Sequence, residues 1–491
     1  MKLKMHHYYY LFVGFLFLVI VSVELFSDGM FMDGLLYADI SRNMAEGLGS
    51  FWKPHFTYGL FPEFYEHPPL AFGLQSLLFK IFGDSIYVER IYSLLTYIVV
   101  GYLIVLIWEI LTKEKKNGWI PLFFWSVTSD VAWAAANNML ENTMSVFVCL
   151  AVFFYFKSIK EKRFLWISLS AISLSLGLLT KGFLCLYIWG APFFMWVFKR
   201  NKSFLQMTVD TVALVLVTIL PIALLYFTSI DAQNNMLNYF RNQVISSIQS
   251  VQTVDSRFAI LGGFFSSIAI PLIVGFFIIM IALKMKVKKY FFKSNIREFF
   301  MFTAIALSGV IPIMISLKQR NFYILTVYPL FAIGLAYCLY PIIKLAISKI
   351  TIESKGFKIF KGVTIGIIFT SIILTISQIN RVGRDKAMIN DCKAVINTVG
   401  KDITINICPN MFSIWNLHGY FSRYGNLSLD CNQKNVCQYY LSLDDCNKDL
   451  LEKDYYIVPI ETIKYKLYQL KENKNQASQN ELGTIKTLNK E

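Results

Sequence analysis

Long apolar runs separated by short polar stretches fill the chain from its first residues to about position 380. A helix needs roughly 20 apolar residues to cross a bilayer, and its backbone must satisfy its own polar groups where no water reaches them. On that scale the pattern predicts about eleven spans: 8–26, 86–112, 118–136, 141–157, 164–180, 183–198, 205–228, 259–283, 298–316, 322–343 and 362–379. Beyond them the chain turns polar. A helical stretch over 386–399 precedes strand-like runs at 403–408 and 455–459. The reading is an all-α polytopic membrane bundle of about 11–13 transmembrane helices over 1–380, then a small extracytoplasmic α/β domain over 381–491. Roughly the last twenty residues, rich in Asn, Lys, Gln and Glu, are expected to be disordered.

The polar stretch between the first two spans, 27–84, is too long for a simple connector. Leu36, Ile40, Met44 and Leu48 recur in it at helical spacing, with Asp39, Arg42, Asn43 and Glu46 around the rest of the helix. Pro68 and Pro69 start a second apolar helix. Two helices lying on the outer membrane surface would wall a cavity between water and lipid.

The 491 residues are 55% hydrophobic and 16% charged, with mean hydropathy +0.50. Soluble domains carry about a quarter charged residues, so composition excludes one here. The net charge of +15 does not mark a nucleic-acid protein. Its cations sit in alternate loops: Lys113, Lys115 and Lys116; Lys157 to Arg163; Lys199 to Lys202; the lysines of 284–293; and those of 344–361. That is the positive-inside pattern, which puts the N-terminus in the cytoplasm and, with an odd number of spans, the tail outside. The first span lacks a small-x-small cleavage pattern and is kept as a helix rather than a signal peptide. Five of eight cysteines (Cys392, Cys408, Cys431, Cys437 and Cys446) lie in the tail, which fits an oxidising compartment and one or two disulfides of open connectivity.

Chemistry-bearing residues gather in the loops of one side. Asp33 follows the first span, and an ionisable group at the hydrocarbon edge is a functional candidate. Glu66 and His67 precede Pro68-Pro69. Glu141 lies in N-N-M-L-E-N-T, Lys181 in L-T-K-G, and Lys318, Arg320 and Tyr323 in K-Q-R-N-F-Y-I-L. Cations suit an anionic phosphate, and a carboxylate suits removal of a proton from an incoming hydroxyl. Asp39 and Arg42, three residues apart, read as a local ion pair instead.

The order D-G-x-x-Y-A, E-H-P-P-L, an acid in the turn after the third span, L-T-K-G and K-x-R-x-x-Y-I-L resembles the C-type polyprenyl-phosphate-sugar glycosyltransferases. The nearest in kind are the protein O-mannosyltransferases of glycosyltransferase family 39 and the lipid A aminoarabinose transferases. The resemblance covers most of 1–345, and the tail resembles that of the aminoarabinose transferases. It implies an undecaprenyl-type phosphate sugar as donor, a lipid, glycan or protein as acceptor, and inverting transfer outside the cell. It implies Asp33 as catalytic base and Glu141, where relatives have Asp, as a second acid. It implies His67, Lys318, Arg320 and Tyr323 as phosphate contacts, with Glu66 and Lys181 beside them. Some relatives bind a divalent metal through the acid before Pro-Pro and a distant loop histidine. Glu66 is present but 229–258 holds no histidine, so a metal near Glu66 is doubtful. The rivals are a lipid-linked sugar flippase or transporter, which calls for internal repeats or mid-membrane charges, and an O-antigen ligase or polymerase, whose large loop comes late in the chain.

Overall fold

The computed structural model describes residues 4–200, 202–284, 296–443, 446, 451 and 453–471. The tail's last residues, 472–491, where disorder is expected, lie outside that range, as does most of the 284–293 lysine cluster.

Among the described residues, eight helices are long and apolar enough to cross a membrane. A ninth span is the bent pair Ala259–Ser267 and Ala269–Lys284, broken by 52°. The chain opens with α1 (Met5–Phe26), α2 (Met32–Glu46), α3 (Leu70–Phe82) and α4 (Val88–Thr112). It continues with α5 (Trp119–Ser126), α6 (Ser129–Ala136), α7 (Leu140–Ser158) and α8 (Arg163–Lys181). Several of the expected spans are composite, two of them from short pieces. Residues 118–136 fold as α5 and α6 with a break at Val127 and Thr128, and 183–198 as a 3-10 helix, Phe183–Gly190, followed by α9 (Ala191–Lys199). A summed hydropathy pattern cannot distinguish one helix from two shorter ones in line.

The main apolar core runs through α4, α7 and α8 and the later helices, with Trp108, Phe124, Phe264, Phe302 and Tyr328 fully buried. A second core belongs to the tail. There the helices Lys386–Val399 and Trp415–Gly425 pack on a five-stranded sheet ordered β2-β1-β3-β5-β4. The strands are β1 (Thr404–Ile407), β2 (Ser428–Asp430), β3 (Tyr439–Ser442), β4 (Tyr455–Ile457) and β5 (Lys466–Leu470). β1 runs parallel to β2 and β3, while β5 runs antiparallel to β3 and β4. Cys408, just after β1, is bridged to Cys446.

α2 differs from the expected surface helix. Every residue from Gly34 to Asn43 is buried, because the tail covers the polar face. Gly419 of the helix Trp415–Gly425 lies against Leu35, where any Cβ on the glycine would come within 2.6 Å of the leucine side chain. Tyr420 Oη donates to Asp385 (2.9 Å), and Arg42 donates to Asp39 (3.1 Å) and to the Ser422 carbonyl (3.1 Å). The anticipated Asp39–Arg42 pair therefore exists, and it also belongs to a joint between tail and bundle. Arg423 completes the joint by pairing with Glu89 (3.1 Å) and Asp84. α2 stops at Gly47, whose left-handed φ of 85° lets its N–H reach the carbonyls of Asn43 and Met44.

Candidate active site

Asp33 stands in the first turn of α2, where unpaired backbone N–H groups favour a negative charge. The turn before α7 fixes that helix end. Asn137 Oδ1 accepts from the Phe31 N–H (3.0 Å), and Asn138 Nδ2 donates to the Gly34 carbonyl (3.1 Å). The approach is so close that a Cβ on Gly34 would lie 1.9 Å from the Asn137 carbonyl oxygen. The same turn begins the helix carrying Glu141, so N-N-M-L-E ties Asp33 and Glu141 together mechanically. Gln75 of α3 donates to Asn138 (2.9 Å) and adds a third element.

Lys181, the last residue of α8, reaches Glu141: Nζ lies 2.6 Å from Oε1, with the side chains 3% and 0% exposed. Neither carboxylate oxygen has a well-directed hydrogen bond. The ammonium also lies 5.4–5.7 Å from the ring centres of Tyr37, Phe322 and Tyr323, an aromatic cage for a cation. Burial raises the Asp33 pKa above the ordinary carboxylate value, and Lys181, Arg320 and Lys318 pull it back. Burial likewise raises Glu66, opposed by Lys318 and assisted by Asp33. Lys318 is lowered by burial and by Lys181 and Arg320, against the pull of Glu66 and Asp33. Nine side chains from five stretches of sequence thus act on one region.

His67 is buried, and its Nε2 is 3.0 Å from Tyr37 Oη. Its Nδ1 has no partner. Burial, then the charges of Lys181 and Lys318, hold its pKa well below the usual value, so the ring is neutral. Glu66 and His67 do not cap α3, whose N-cap is Pro69 with no side-chain bond.

His67, Lys181, Lys318 and Tyr323 are among the residues that line a cavity of about 520 Å³. Its other walls are mostly apolar and include Leu184, Val244, Ile248 and Ile313. Sequence reasoning missed the residues that shape its rim. Gln243 accepts from Lys318 Nζ (3.0 Å) and sits in a π-helical turn, Phe240–Ile245. Gln319 bonds the Arg257 carbonyl (2.9 Å), the Ser316 carbonyl (2.8 Å) and the Ile260 N–H (2.8 Å), pinning the loop that presents Lys318 and Arg320. A π-turn often marks a function, but no composition signal announces one.

Glu66 has one cationic neighbour, Lys318, and one carboxylate neighbour, Asp33. His67 has Nε2 engaged by Tyr37. No group of three or more His, Cys, Asp or Glu side chains converges among the described residues.

This architecture recurs among solved structures. The chain superposes on ArnT from Cupriavidus metallidurans, solved bound to undecaprenyl phosphate, with a TM-score of 0.62 at 13% identity, covering 94% of this chain and 97% of that one. The apo form of ArnT gives 0.62 at 14% identity, with the same coverage. The apo oligosaccharyltransferase of Archaeoglobus fulgidus gives 0.53 at 11%, covering 94% and 75%. In sequence, residues 66–227 match the family model described as dolichyl-phosphate-mannose-protein mannosyltransferase. The chain thus shares the fold of ArnT, carries eight helices long and apolar enough to cross a membrane among its described residues, and is similar over 66–227 to the mannosyltransferase family model. No curated protein matches it in sequence.

Proposed function

We propose that the chain transfers a sugar from a polyprenyl phosphate to a hydroxyl or similar acceptor on a lipid, envelope glycan or protein at the outer membrane face. One observation carries this reading: Lys181, Lys318 and His67 line a mostly apolar cavity of about 520 Å³, and the charges of Lys181 and Lys318 act on Asp33. The resemblance to ArnT, solved with undecaprenyl phosphate, supports it. The positive-inside pattern supports a cytoplasmic N-terminus and an external tail.

Asp33 takes the acceptor proton. The acceptor oxygen bonds to the anomeric carbon from the face opposite the phosphate as the carbon–phosphate-oxygen bond breaks, so the anomeric centre inverts. The polyprenyl phosphate leaves as an anion. Lys181, Lys318 and Arg320 neutralise it, which replaces a strong general acid. Tyr37 Oη engages His67 Nε2, and the buried Nδ1, which has no partner, is the ring atom left to meet a phosphate oxygen. Glu141 is the second acid: it holds Lys181 at its post.

The test is Asp33→Asn in purified full-length protein with radiolabelled polyprenyl-phosphate sugar. Donor binding survives and transfer is lost. Undiminished transfer removes Asp33 from the reaction.

A further inference from the structure

Two adjoining cavities of about 560 and 550 Å³ form one groove between α1 and α4, sharing His7, Tyr10, Gly14, Tyr97 and Ile98. They share no lining residue with the cavity beside Asp33. α1 places them apart as well: its 22 residues span about 33 Å, and the groove's polar mouth lies at the end opposite Asp33. The groove floor is open at Gly14, where a Cβ would meet nothing within 4 Å. Its walls are fixed: Phe17 stacks on Tyr97 at 3.6 Å between centroids, and Tyr10 Oη donates to the Lys115 carbonyl (2.7 Å).

The mouth is cationic. His6, His7, Lys115 and Lys116 line it, and both lysines are exposed. Glu109 reaches Lys115 only at 3.8 Å. The acid of the same loop, Glu114, turns away and is held by Asn117 (2.8 Å), Tyr340 (2.6 Å) and Lys344. Body and mouth together match a molecule with a hydrocarbon tail and a negative head. A zwitterionic head would leave the charge of the mouth uncompensated.

We propose that this groove holds an anionic glycerophospholipid, its phosphate against Lys115 and Lys116 and one acyl chain along Gly14 and Ile98. The test is native mass spectrometry of the full chain in detergent with equal amounts of dioleoyl-phosphatidylglycerol and dioleoyl-phosphatidylcholine. The first is retained over the second. Lys115→Gln with Lys116→Gln weakens its retention on the order of tenfold. Gly14→Phe, which has room for its Cβ, displaces the acyl chain and weakens retention too. Lys318→Gln, in the other cavity, leaves the preference unchanged. Equal retention of the two lipids, or either groove variant binding like the parent chain, overturns the proposal. So does loss of the preference in Lys318→Gln, which would put the anion in the donor cavity.

Discussion

Lys181 and Glu141 meet at 2.6 Å with both side chains shut away from solvent. Removing one partner of such a pair strands the other charge in a medium that cannot solvate it. Glu141→Ala is therefore expected to destabilise the chain by about 3 kcal/mol. Glu141→Leu combined with Lys181→Met should unfold at a higher temperature than either single variant, with transfer still abolished. Thermal unfolding in detergent with a matched transfer assay reads both. Additive single and double effects would show that the pair is not coupled.

Transfer should have an acid limb above the ordinary carboxylate value of about 4, because burial raises Asp33 and the base must be ionised. Lys318→Gln removes one of the cations pulling Asp33 down, so the limb moves to still higher pH. The profile of kcat/KM against pH measures both, and a limb unmoved by that variant would detach Lys318 from Asp33.

Stability follows the same shift with its own sign. A carboxyl whose folded pKa is raised holds its proton more tightly folded than unfolded. Its contribution is present at low pH and is lost as pH rises through the raised folded value. The ionised Asp33 is thus a cost at neutral pH, and Asp33→Asn should be inactive yet melt at or above the parent temperature. A lower melting temperature for this variant at neutral pH would contradict the shift.

Gly34→Ala should cost about 1–3 kcal/mol and most of the activity, since its Cβ would sit 1.9 Å from the Asn137 carbonyl oxygen. Gly262→Ala, where nothing lies within 4 Å, is the matched control and should fold normally. Unfolding temperature and transfer rate of the two variants make the comparison.

Arg423→Ala leaves Glu89, itself 3% exposed, without its partner. A loss of about 3 kcal/mol and faster proteolysis within the tail are expected. A digestion pattern identical to that of the parent chain would show that this joint does not hold the tail.

Much of the bundle was legible because hydrocarbon imposes one rule on every spanning segment. The five loop stretches carrying the candidate chemistry were legible too, since a charge in an apolar chain stands out. The splitting of 118–136 into α5 and α6 was not, because both halves have the hydropathy of a span. Nor was the burial of α2. Asp39 and Arg42 pair locally, as their spacing predicts, but their wider partners, Ser422 and Arg423, lie nearly four hundred positions away. Gln243 and Gln319 carry no charge and belong to no motif, so only their hydrogen bonds reveal what they position.

The helix Trp415–Gly425 grips the element on which Asp33 is mounted, so the tail is a strut of the proposed site. Exchanging this tail for that of ArnT would alter the aim of Asp33 along with the tail's own surface. A chain cut after the last span would lose speed even toward its simplest acceptor.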